Sequence, residues 1–266
     1  MSIVAPLQPR WSPAALITCC VLAILLLGSW LFAPSRELWT LADEQAFYLL
    51  NAPLAHSPAW AWVWAIGSVR ITDLAVAVLM LALIIRGDLF FSANQVRLAF
   101  LMLLVSLVGL LLLRTGFNQV VKALDWQHAG PSLVLSEVVR MSELFPGWDE
   151  YGLKDASKRS FPGDHASVLM LWGLFLASVA RWPGRLAILA LVVVFMLPRL
   201  VAGAHWLSDN MVGGLFIALL SYALCLATPL AFNAASWLDA KLQPLVSFFS
   251  RWPVIGSWAV LKPAQS

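Results

Sequence analysis

The chain has 266 residues, of which 61% are hydrophobic and only 12% are charged, whereas soluble domains carry about 25% charged residues. This composition excludes a soluble enzyme, a disordered chain and a nucleic-acid-binding protein. The formal net charge of +3 is small, so the overall charge selects no partner.

Six apolar segments follow one another along the chain, most of them near the length that crosses a bilayer as a helix. The bilayer interior offers no water to exposed backbone groups, so we expect all six segments to be helical. The predicted fold is therefore all-α, a single membrane-embedded domain over residues 1–266 with six transmembrane helices. The predicted spans are residues 13–33, 59–85, 96–113, 166–180, 186–201 and 211–230.

The charges between these segments predict the orientation of the chain. An even number of spans places both termini on one side, where the short connections are basic and nearly free of acid. This pattern is typical of cytoplasmic loops, so we expect cytoplasmic termini and an outward-facing loop from about Arg114 to His165. The basic residues on the terminal side are Arg10, Arg86, Arg97, Arg181, Arg185, Lys241, Arg251 and Lys262, and the acidic ones are Asp88 and Asp239.

Two further segments have the composition of membrane-surface elements. Residues 37–55 combine Trp39 and Tyr48 with acidic side chains, and residues 232–259 combine aromatic side chains with Lys241 and other bases. Such spacing keeps the aromatic side chains on one face and the bases near lipid headgroups. We expect a surface anchor in each case, with a partner-binding helix as the alternative.

Polar residues gather on the predicted outward side, where His205 and Asp209 stand four residues apart. On a helix they share a face, and Asp209 can accept a hydrogen bond from one imidazole nitrogen. The other nitrogen is then available as a nucleophile. Arg199 adds a rigid fork of donors suited to phosphate. A single His–Asp pair is more often structural, but its combination with Arg199 and His165 indicates a site for an anionic substrate.

A turn at Phe161-Pro162-Gly163-Asp164-His165 precedes the fourth span. Backbone N–H groups at the start of the predicted helix would form an anion site, and Asp164 is a good N-cap. Alternatively, Asp164 only caps the helix and His165 only forms a hydrogen bond. Nearby bases favour an anionic substrate, although binding of lipid headgroups is the alternative for Lys154 and Lys158. These bases are Lys122, Lys154, Lys158 and Arg159.

The histidines and cysteines form no pattern of a metal site. The four histidines are His56, His128, His165 and His205, and neither an HExxH motif nor a carboxylate cluster joins them. The three cysteines lie in apolar runs, which predicts neither a disulfide framework nor a CxxC site. We therefore expect no metal and no cofactor.

The spacing of Arg199, His205 and Asp209 resembles the third motif of the type-2 phosphatidic acid phosphatase superfamily, Ser-Arg-x5-His-x3-Asp, with Pro198 at the Ser position. The Pro162-Gly163-Asp164-His165 stretch is similar to the second motif, Pro-Ser-Gly-His.

The first motif of the family is a Lys with a following Arg-Pro, and it is matched least well. Lys122 is present, but Ala129 and Gly130 stand at the Arg-Pro positions, with His128 and Pro131 beside them. The three motifs cover about ninety residues. The resemblance extends to the whole chain through the six-span layout.

The unusual Pro-Gly-Asp-His stretch looks like one branch of the superfamily, which transfers a phosphoryl group from undecaprenyl diphosphate to the 1-phosphate of lipid A, a lipopolysaccharide precursor. Arg70, Asp73 and the stretch from Asp43 through Phe47 and Tyr48 to Asn51 also resemble that branch. The resemblance implies an enzyme of a bacterial inner membrane with a periplasmic site. Its partners would be these two lipids and the surrounding membrane lipids, with no nucleic acid.

The resemblance also implies roles for the residues. His205 would attack the terminal phosphorus, Asp209 would orient His205, and His165 would protonate the leaving group, so that a phosphohistidine forms. The phosphate-binding groups would be Arg199, Lys122, Gly163 and Asp164. The candidates for a second headgroup are Lys154, Lys158, Arg159 and Arg70, with a salt bridge to Asp73 as the alternative for Arg70.

Two other functions fit the same sequence. One is a phosphatase that acts on undecaprenyl diphosphate or a phospholipid at the same site. The other is a non-catalytic membrane protein that binds or transports lipids. The role of Asp164 stays open, because a carboxylate repels phosphate unless it points away as a cap or contacts a sugar of lipid A.

Overall fold

The computed structural model describes residues 7–86, 89–253, 256 and 258–261, and no strand occurs among them. The predicted all-α class is therefore confirmed. The α-helices are α1 (Pro13–Leu31), α2 (Ala33–Asn51), α3 (Pro58–Ser68), α4 (Arg70–Ile85), α5 (Val96–Ala123), α6 (Pro131–Val134), α7 (Met141–Leu144), α8 (Asp164–Val179), α9 (Trp182–Val201), α10 (Leu215–Cys225) and α11 (Leu230–Phe249). Short 3-10 turns occupy Ala52–Ala55, Trp148–Tyr151 and Ala259–Leu261, and a π-helical turn occupies Asp209–Gly214.

Three of these helices, α1, α5 and α9, are each long and apolar enough to cross a membrane. The number rises to five if α3 with α4, and Asp209–Cys225 with α11, each count as one bent span. The apolar helix α8 is shorter, with 16 residues. The chain is thus a helical membrane protein with three to five candidate spans among the described residues, and the predicted number of six spans stays a prediction.

The predicted second span, residues 59–85, is broken rather than straight. Val69 has an extended backbone between α3 and α4, and the two helix axes differ by 70°. The break leaves the carbonyl of Ser68 without a partner in its own helix. This carbonyl instead accepts hydrogen bonds from the Arg199 guanidinium at 3.1 Å and from the Lys154 backbone at 3.2 Å. These contacts satisfy the broken backbone, which apolar surroundings require.

The predicted sixth span, residues 211–230, is also interrupted. It begins in the π-helical turn, ends as a helix at Cys225, and turns by 67° into α11. The segment 232–259, predicted at the membrane surface, lies mostly in α11. Ala231 and Ala235 are buried there, whereas Trp237 stays exposed. Residues 254, 255 and 257 lie outside the described residues.

Close helix packing holds the bundle together. Helix α10 packs on α1, α5 and α8, while α9 packs on α8 and α11 packs on α5. A Cβ atom at Gly173 would lie 2.7 Å from Val192, and one at Gly109 would lie 2.7 Å from Cys225. Small residues at such contacts let helices approach closely, and van der Waals packing is the main attraction between helices in lipid.

Helix α2 does more than cover a membrane surface. Its residues Asp43, Phe47 and Asn51 are buried. The Asn51 amide exchanges hydrogen bonds with the backbone of Val139 and donates another, at 2.9 Å, to the carbonyl of Val201. This helix therefore fixes the long loop against the end of α9. The prediction of a surface position for residues 37–55 did not include this contact.

The polar residues collect at one end of the bundle. Helix α5 runs ten residues beyond the predicted end at 113 and is about 42 Å long. Helix α8 begins, and α9 ends, at the same end of the bundle as the last turns of α5. The opposite end holds Ser12, whose backbone N–H donates to the Ala227 carbonyl at 2.8 Å.

Candidate active site

His205 is buried, with 4% of its surface exposed, and its Nδ1 lies 2.9 Å from the Ser160 carbonyl oxygen. A carbonyl oxygen only accepts hydrogen bonds, so Nδ1 must carry the proton. In the neutral ring, the lone pair is then on Nε2. The backbone of Ser160 thus selects the tautomer that makes Nε2 a nucleophile, a role that the sequence assigned to Asp209.

Asp209 is fully buried at the start of the π-helical turn. Its Oδ2 accepts the Trp206 backbone N–H at 2.8 Å and lies 3.5 Å from Nδ1 of His205. Its carbonyl oxygen accepts the Gly163 N–H at 2.9 Å. The predicted contact between His205 and Asp209 is therefore present, although it is longer than the bond between His205 and Ser160. The predicted helix that the two residues would share is wrong, because His205 lies in the loop between α9 and the π-helical turn.

A second imidazole binds Asp209 more closely. Nε2 of His128 lies 2.9 Å from Oδ1 of Asp209, and Nδ1 lies 3.2 Å from the Trp126 carbonyl oxygen. The sequence placed His128 beside a departure from the first motif and left open whether it replaces the missing arginine. The two residues are 81 positions apart, so only the fold brings them together.

The turn before α8 docks onto the π-helical turn. Gly163 has no room for a side chain, since a Cβ there would lie 2.4 Å from Oδ1 of Asn210. Its N–H, predicted to bind phosphate, is engaged by the Asp209 carbonyl. The prediction that Asp164 caps this helix is wrong, because Gly163 is the N-cap and no side chain caps the helix. Asp164 instead accepts the His165 N–H at 2.8 Å and forms an ion pair with Arg114 at 3.4 Å.

Arg199 is buried at the end of α9. Its guanidinium donates to the Ser68 carbonyl at 3.1 Å and forms a close ion pair with Asp73. Asp73 therefore pairs with Arg199 rather than with Arg70, the pairing that the sequence suggested. The two acceptors fix the guanidinium plane, which prepares its remaining donors for a phosphate.

Two cavities meet at His205. The first, of about 260 Å³, is here called the Lys122 cavity, and its charged lining residues are Arg114, Lys122, Lys154, Arg159 and Asp164. The second, of about 280 Å³, is called the Arg199 cavity; besides His205 and Val168 it is lined by Asp73, Arg114, Lys154, Asp164, His165 and Arg199. Both cavities share Arg114, Lys154, Asp164 and His205, so they form neighbouring compartments around one imidazole.

The residues proposed for a second headgroup separate into two pairs. Lys154 lines both cavities and Arg159 lines the Lys122 cavity. Among the described lining residues, Lys158 and Arg70 belong to neither cavity. Lys158 is exposed on the loop. Arg70 lies against Gly152, since a Cβ atom added at Gly152 would be 3.0 Å from the Cβ of Arg70.

Arg114 is the site residue that the sequence interpretation missed. It lines both cavities and binds Asp164. Arg114, Asn118 and Lys122 are spaced at i, i+4 and i+8, so they share one face of α5. This spacing was the signal that could have identified Arg114, but the sequence interpretation treated these polar residues only as the end of a span.

Asp43 and His128, which lie outside the candidate spans, have shifted pKa values. Burial raises the pKa of Asp43 to about 6, partly offset by hydrogen bonds from the Ser208 side chain and backbone. Burial would lower the pKa of His128, but the hydrogen bond and charge of Asp209 outweigh it and leave this pKa raised. No group of three or more His, Cys, Asp or Glu side chains suited to a metal occurs in the described part of the chain.

Comparison with known proteins gives two findings. Residues 103–234 match the profile of the PAP2 superfamily, and this region includes all three motifs. The chain is also similar to the lipid A 1-diphosphate synthase of Escherichia coli (strain K12), with 30% identity over 227 residues, which cover 84% of this chain and 91% of the relative. No solved structure gives a significant match.

Proposed function

The chain belongs to the PAP2 superfamily, and we propose that within it the protein transfers the terminal phosphoryl group of undecaprenyl diphosphate to the 1-phosphate of lipid A. The products are undecaprenyl phosphate and lipid A 1-diphosphate. The similarity to a lipid A 1-diphosphate synthase supports this assignment. The observation that carries it is the meeting of two basic cavities at His205.

Two adjacent cavities suit this reaction because both of its halves place two phosphorus centres side by side. In the first half, the donor presents its two linked phosphates. In the second half, a phosphoryl group on the enzyme faces the acceptor phosphate. Four basic side chains line the Lys122 cavity and three line the Arg199 cavity, two of them shared. These cations offset the repulsion between the two anions. They also stabilise the charge that develops on the transferred phosphoryl group in the transition state.

In the proposed first half, Nε2 of His205 attacks the terminal phosphorus in line and forms an N–P bond. The P–O bond to undecaprenyl phosphate breaks, and His165 donates a proton to the departing oxygen. Arg199 and Lys122 bind the equatorial oxygens. Asp209 stabilises the positive charge on the phosphorylated imidazole.

In the proposed second half, an oxygen of the lipid A 1-phosphate attacks the phosphorus and the N–P bond breaks. The acceptor is already anionic and needs little help from a base, whereas water needs more. Transfer therefore exceeds hydrolysis when the acceptor is held in place, because positioning replaces a bimolecular encounter. We assign this positioning to Arg114, Lys154 and Arg159. The proposed mechanism uses side-chain cations and no metal or cofactor.

The proposed location is a bacterial inner membrane, with cytoplasmic termini and a periplasmic site. The distribution of basic loops supports it. Arg10, Arg181 between α8 and α9, and Arg185 in the first turn of α9 lie at the end of the bundle opposite His205.

The test is the identity of the product. The purified protein in detergent is given undecaprenyl diphosphate labelled in its terminal phosphate, with and without lipid A. We expect the label in lipid A carrying one more phosphate. Label released as inorganic phosphate under both conditions would make the protein a phosphatase. No loss of label would contradict both transfer from and hydrolysis of undecaprenyl diphosphate.

A second experiment tests the nucleophile. Donor alone should place acid-labile label on the wild-type protein, and His205→Asn should remove it, with His56→Asn as the matched control because His56 is an exposed loop residue. Acid-labile label on His205→Asn would overturn the phosphohistidine at this position.

A further inference from the structure

His128 has hydrogen-bond acceptors at both ring nitrogens. Nε2 faces the Asp209 carboxylate at 2.9 Å, and Nδ1 faces the Trp126 carbonyl oxygen at 3.2 Å. A neutral imidazole has one donor and one acceptor nitrogen. The lone pair of its acceptor nitrogen would therefore face a lone pair of one of the two oxygens. Only the doubly protonated imidazolium donates to both oxygens. The geometry therefore favours a positively charged His128.

We propose that His128 is a charged positioning residue for the reaction, acting on the nucleophile His205 through the carboxylate that they share. The inference rests on the proposed function, in which His205 carries the phosphoryl group. It adds a role for a residue that lies beside the altered part of the first motif, where arginine is absent.

The shared carboxylate gives His128 two effects on His205. Donation to Oδ1 fixes the rotation of the Asp209 side chain, so that Oδ2 stays directed at the Trp206 N–H and His205. The positive charge also offsets the negative charge of Asp209. Phosphorylated His205 is then stabilised less, and its N–P bond breaks more readily, which helps a weak nucleophile such as a phosphate oxygen.

A second connection between the two histidines runs through Ser160. The backbone N–H and the hydroxyl of Ser160 donate to the His128 carbonyl at 2.9 and 3.1 Å. The Ser160 carbonyl accepts from Nδ1 of His205 at 2.9 Å. Both the side chain and the backbone of His128 therefore position groups that bind His205.

The charged groups around His128 belong to two elements. Asp209 starts the π-helical turn, and Arg36 and Asp43 lie on α2. Arg36 opposes a charge on His128, whereas the two carboxylates favour it. Trp30 and Phe161 flank the imidazole with ring centroids 6.2 and 5.8 Å away. Because both rings are uncharged, the alternative interpretation is that His128 only fills the space between them.

The experiment compares His128→Phe, which fills the space without a donor, with His128→Gln, which can donate to Asp209 but carries no charge. His56→Gln is the matched control and His205→Asn is the inactive reference. Each variant is labelled with donor in detergent, and the rate of label transfer to added lipid A is followed across pH. Thermal unfolding of each variant is measured in parallel.

We expect His128→Phe to lower kcat about 10- to 100-fold, the usual effect of losing a hydrogen bond to a charged group, with little change in KM. His128→Gln should recover part of kcat. In the wild type, label transfer should slow as pH rises and His128 loses its proton, and in His128→Gln this dependence should disappear. The labelled phosphohistidine should also persist longer in both variants.

Three results would overturn the inference while leaving the proposed function intact. One is wild-type kcat in His128→Phe. Another is an equal loss in both variants with an unchanged pH dependence. The third is unchanged persistence of the label in folded protein. Transfer by His205→Asn would instead contradict the nucleophile itself, so the two failures are distinguishable.

Discussion

Two Arg–Asp ion pairs, each with a buried arginine, lie at opposite ends of the bundle and have different surroundings. At the predicted cytoplasmic end, Arg97 of α5 pairs with Asp239 of α11 and also donates to the Val260 carbonyl at 3.3 Å. At the other end, Arg199 pairs with Asp73 and faces the cavity that also holds His165 and His205. The Asp73 side chain is 34% exposed and that of Asp239 is 15% exposed.

The comparison shows that an ion pair with a buried arginine does not by itself indicate a site. Such pairs offset their own desolvation cost only in part, so their presence is weak support for either stability or chemistry. The distinguishing features are the open face of the guanidinium and the titratable groups that share its cavity. We therefore expect the Arg97 pair to be structural and the Arg199 pair to act in the reaction.

The largest effect should separate these two arginines. Arg199→Met should lower the rate of transfer at least about 100-fold, as loss of a donor to developing charge does. Arg97→Met should leave the rate nearly unchanged but lower the midpoint of thermal unfolding by about 10 °C, because the half-buried Asp239 carboxylate loses its cation. Transfer assays and unfolding in detergent measure both. Full activity of Arg199→Met would contradict the distinction.

A smaller effect should come from Asp164, which repels phosphate but holds Arg114. Asp164→Asn should release Arg114 and lower the ratio of transfer to hydrolysis about tenfold, because the acceptor needs positioning and water does not. The ratio is read from labelled lipid A against labelled inorganic phosphate. Asp149→Asn is the control, since Asp149 is exposed on the same loop. An unchanged ratio would assign Asp164 to its structural contacts with the His165 N–H and Arg114 alone.

The two loop lysines sharpen the comparison further. Lys154→Gln should raise KM for the lipid substrates about fivefold, since one charged contact to phosphate is lost. Lys158→Gln should change nothing, because Lys158 is exposed and lines neither described cavity. Steady-state kinetics at two salt concentrations would show the difference, which salt should reduce. Equal effects of the two substitutions would argue for general attraction to the membrane surface.

The smallest effect concerns pH and Asp43. Burial raises the pKa of Asp43 from 3.8 to about 6, so the folded protein holds this proton at pH values where the unfolded chain has lost it. The free energy of unfolding should therefore fall as pH rises from about 4 to 6 and stay lower above that range. Asp43→Asn should reduce this fall by about 5 °C in the unfolding midpoint. The same pH dependence in both proteins would show that Asp43 does not titrate there.

Much of the site could be predicted because its chemistry is local in sequence. Arg199, His205 and Asp209 lie close together in sequence, at the end of α9, in the loop after it and at the start of the π-helical turn. The turn at Gly163 and Asp164 precedes an apolar run. Long apolar segments also predict helices in a membrane whatever their neighbours are, since every backbone group must be satisfied within the segment.

Residues linked across the chain could not be predicted in this way. The contact between His128 and Asp209 joins positions 81 apart, and that between Arg199 and Asp73 joins positions 126 apart. Neither pair has a periodicity that would reveal it. The break at Val69 was missed for the same reason, because the partners that satisfy the Ser68 carbonyl come from distant segments.

The amino-acid order alone determined the helical class, the membrane environment and the family, because hydrophobicity and short motifs act over a few turns. The tertiary structure decided which helices bend, which carbonyl fixes the His205 tautomer and which imidazole is closest to Asp209. Those features depend on hydrogen bonds between distant segments, and such bonds form only once packing has brought a donor and an acceptor to within about 3 Å.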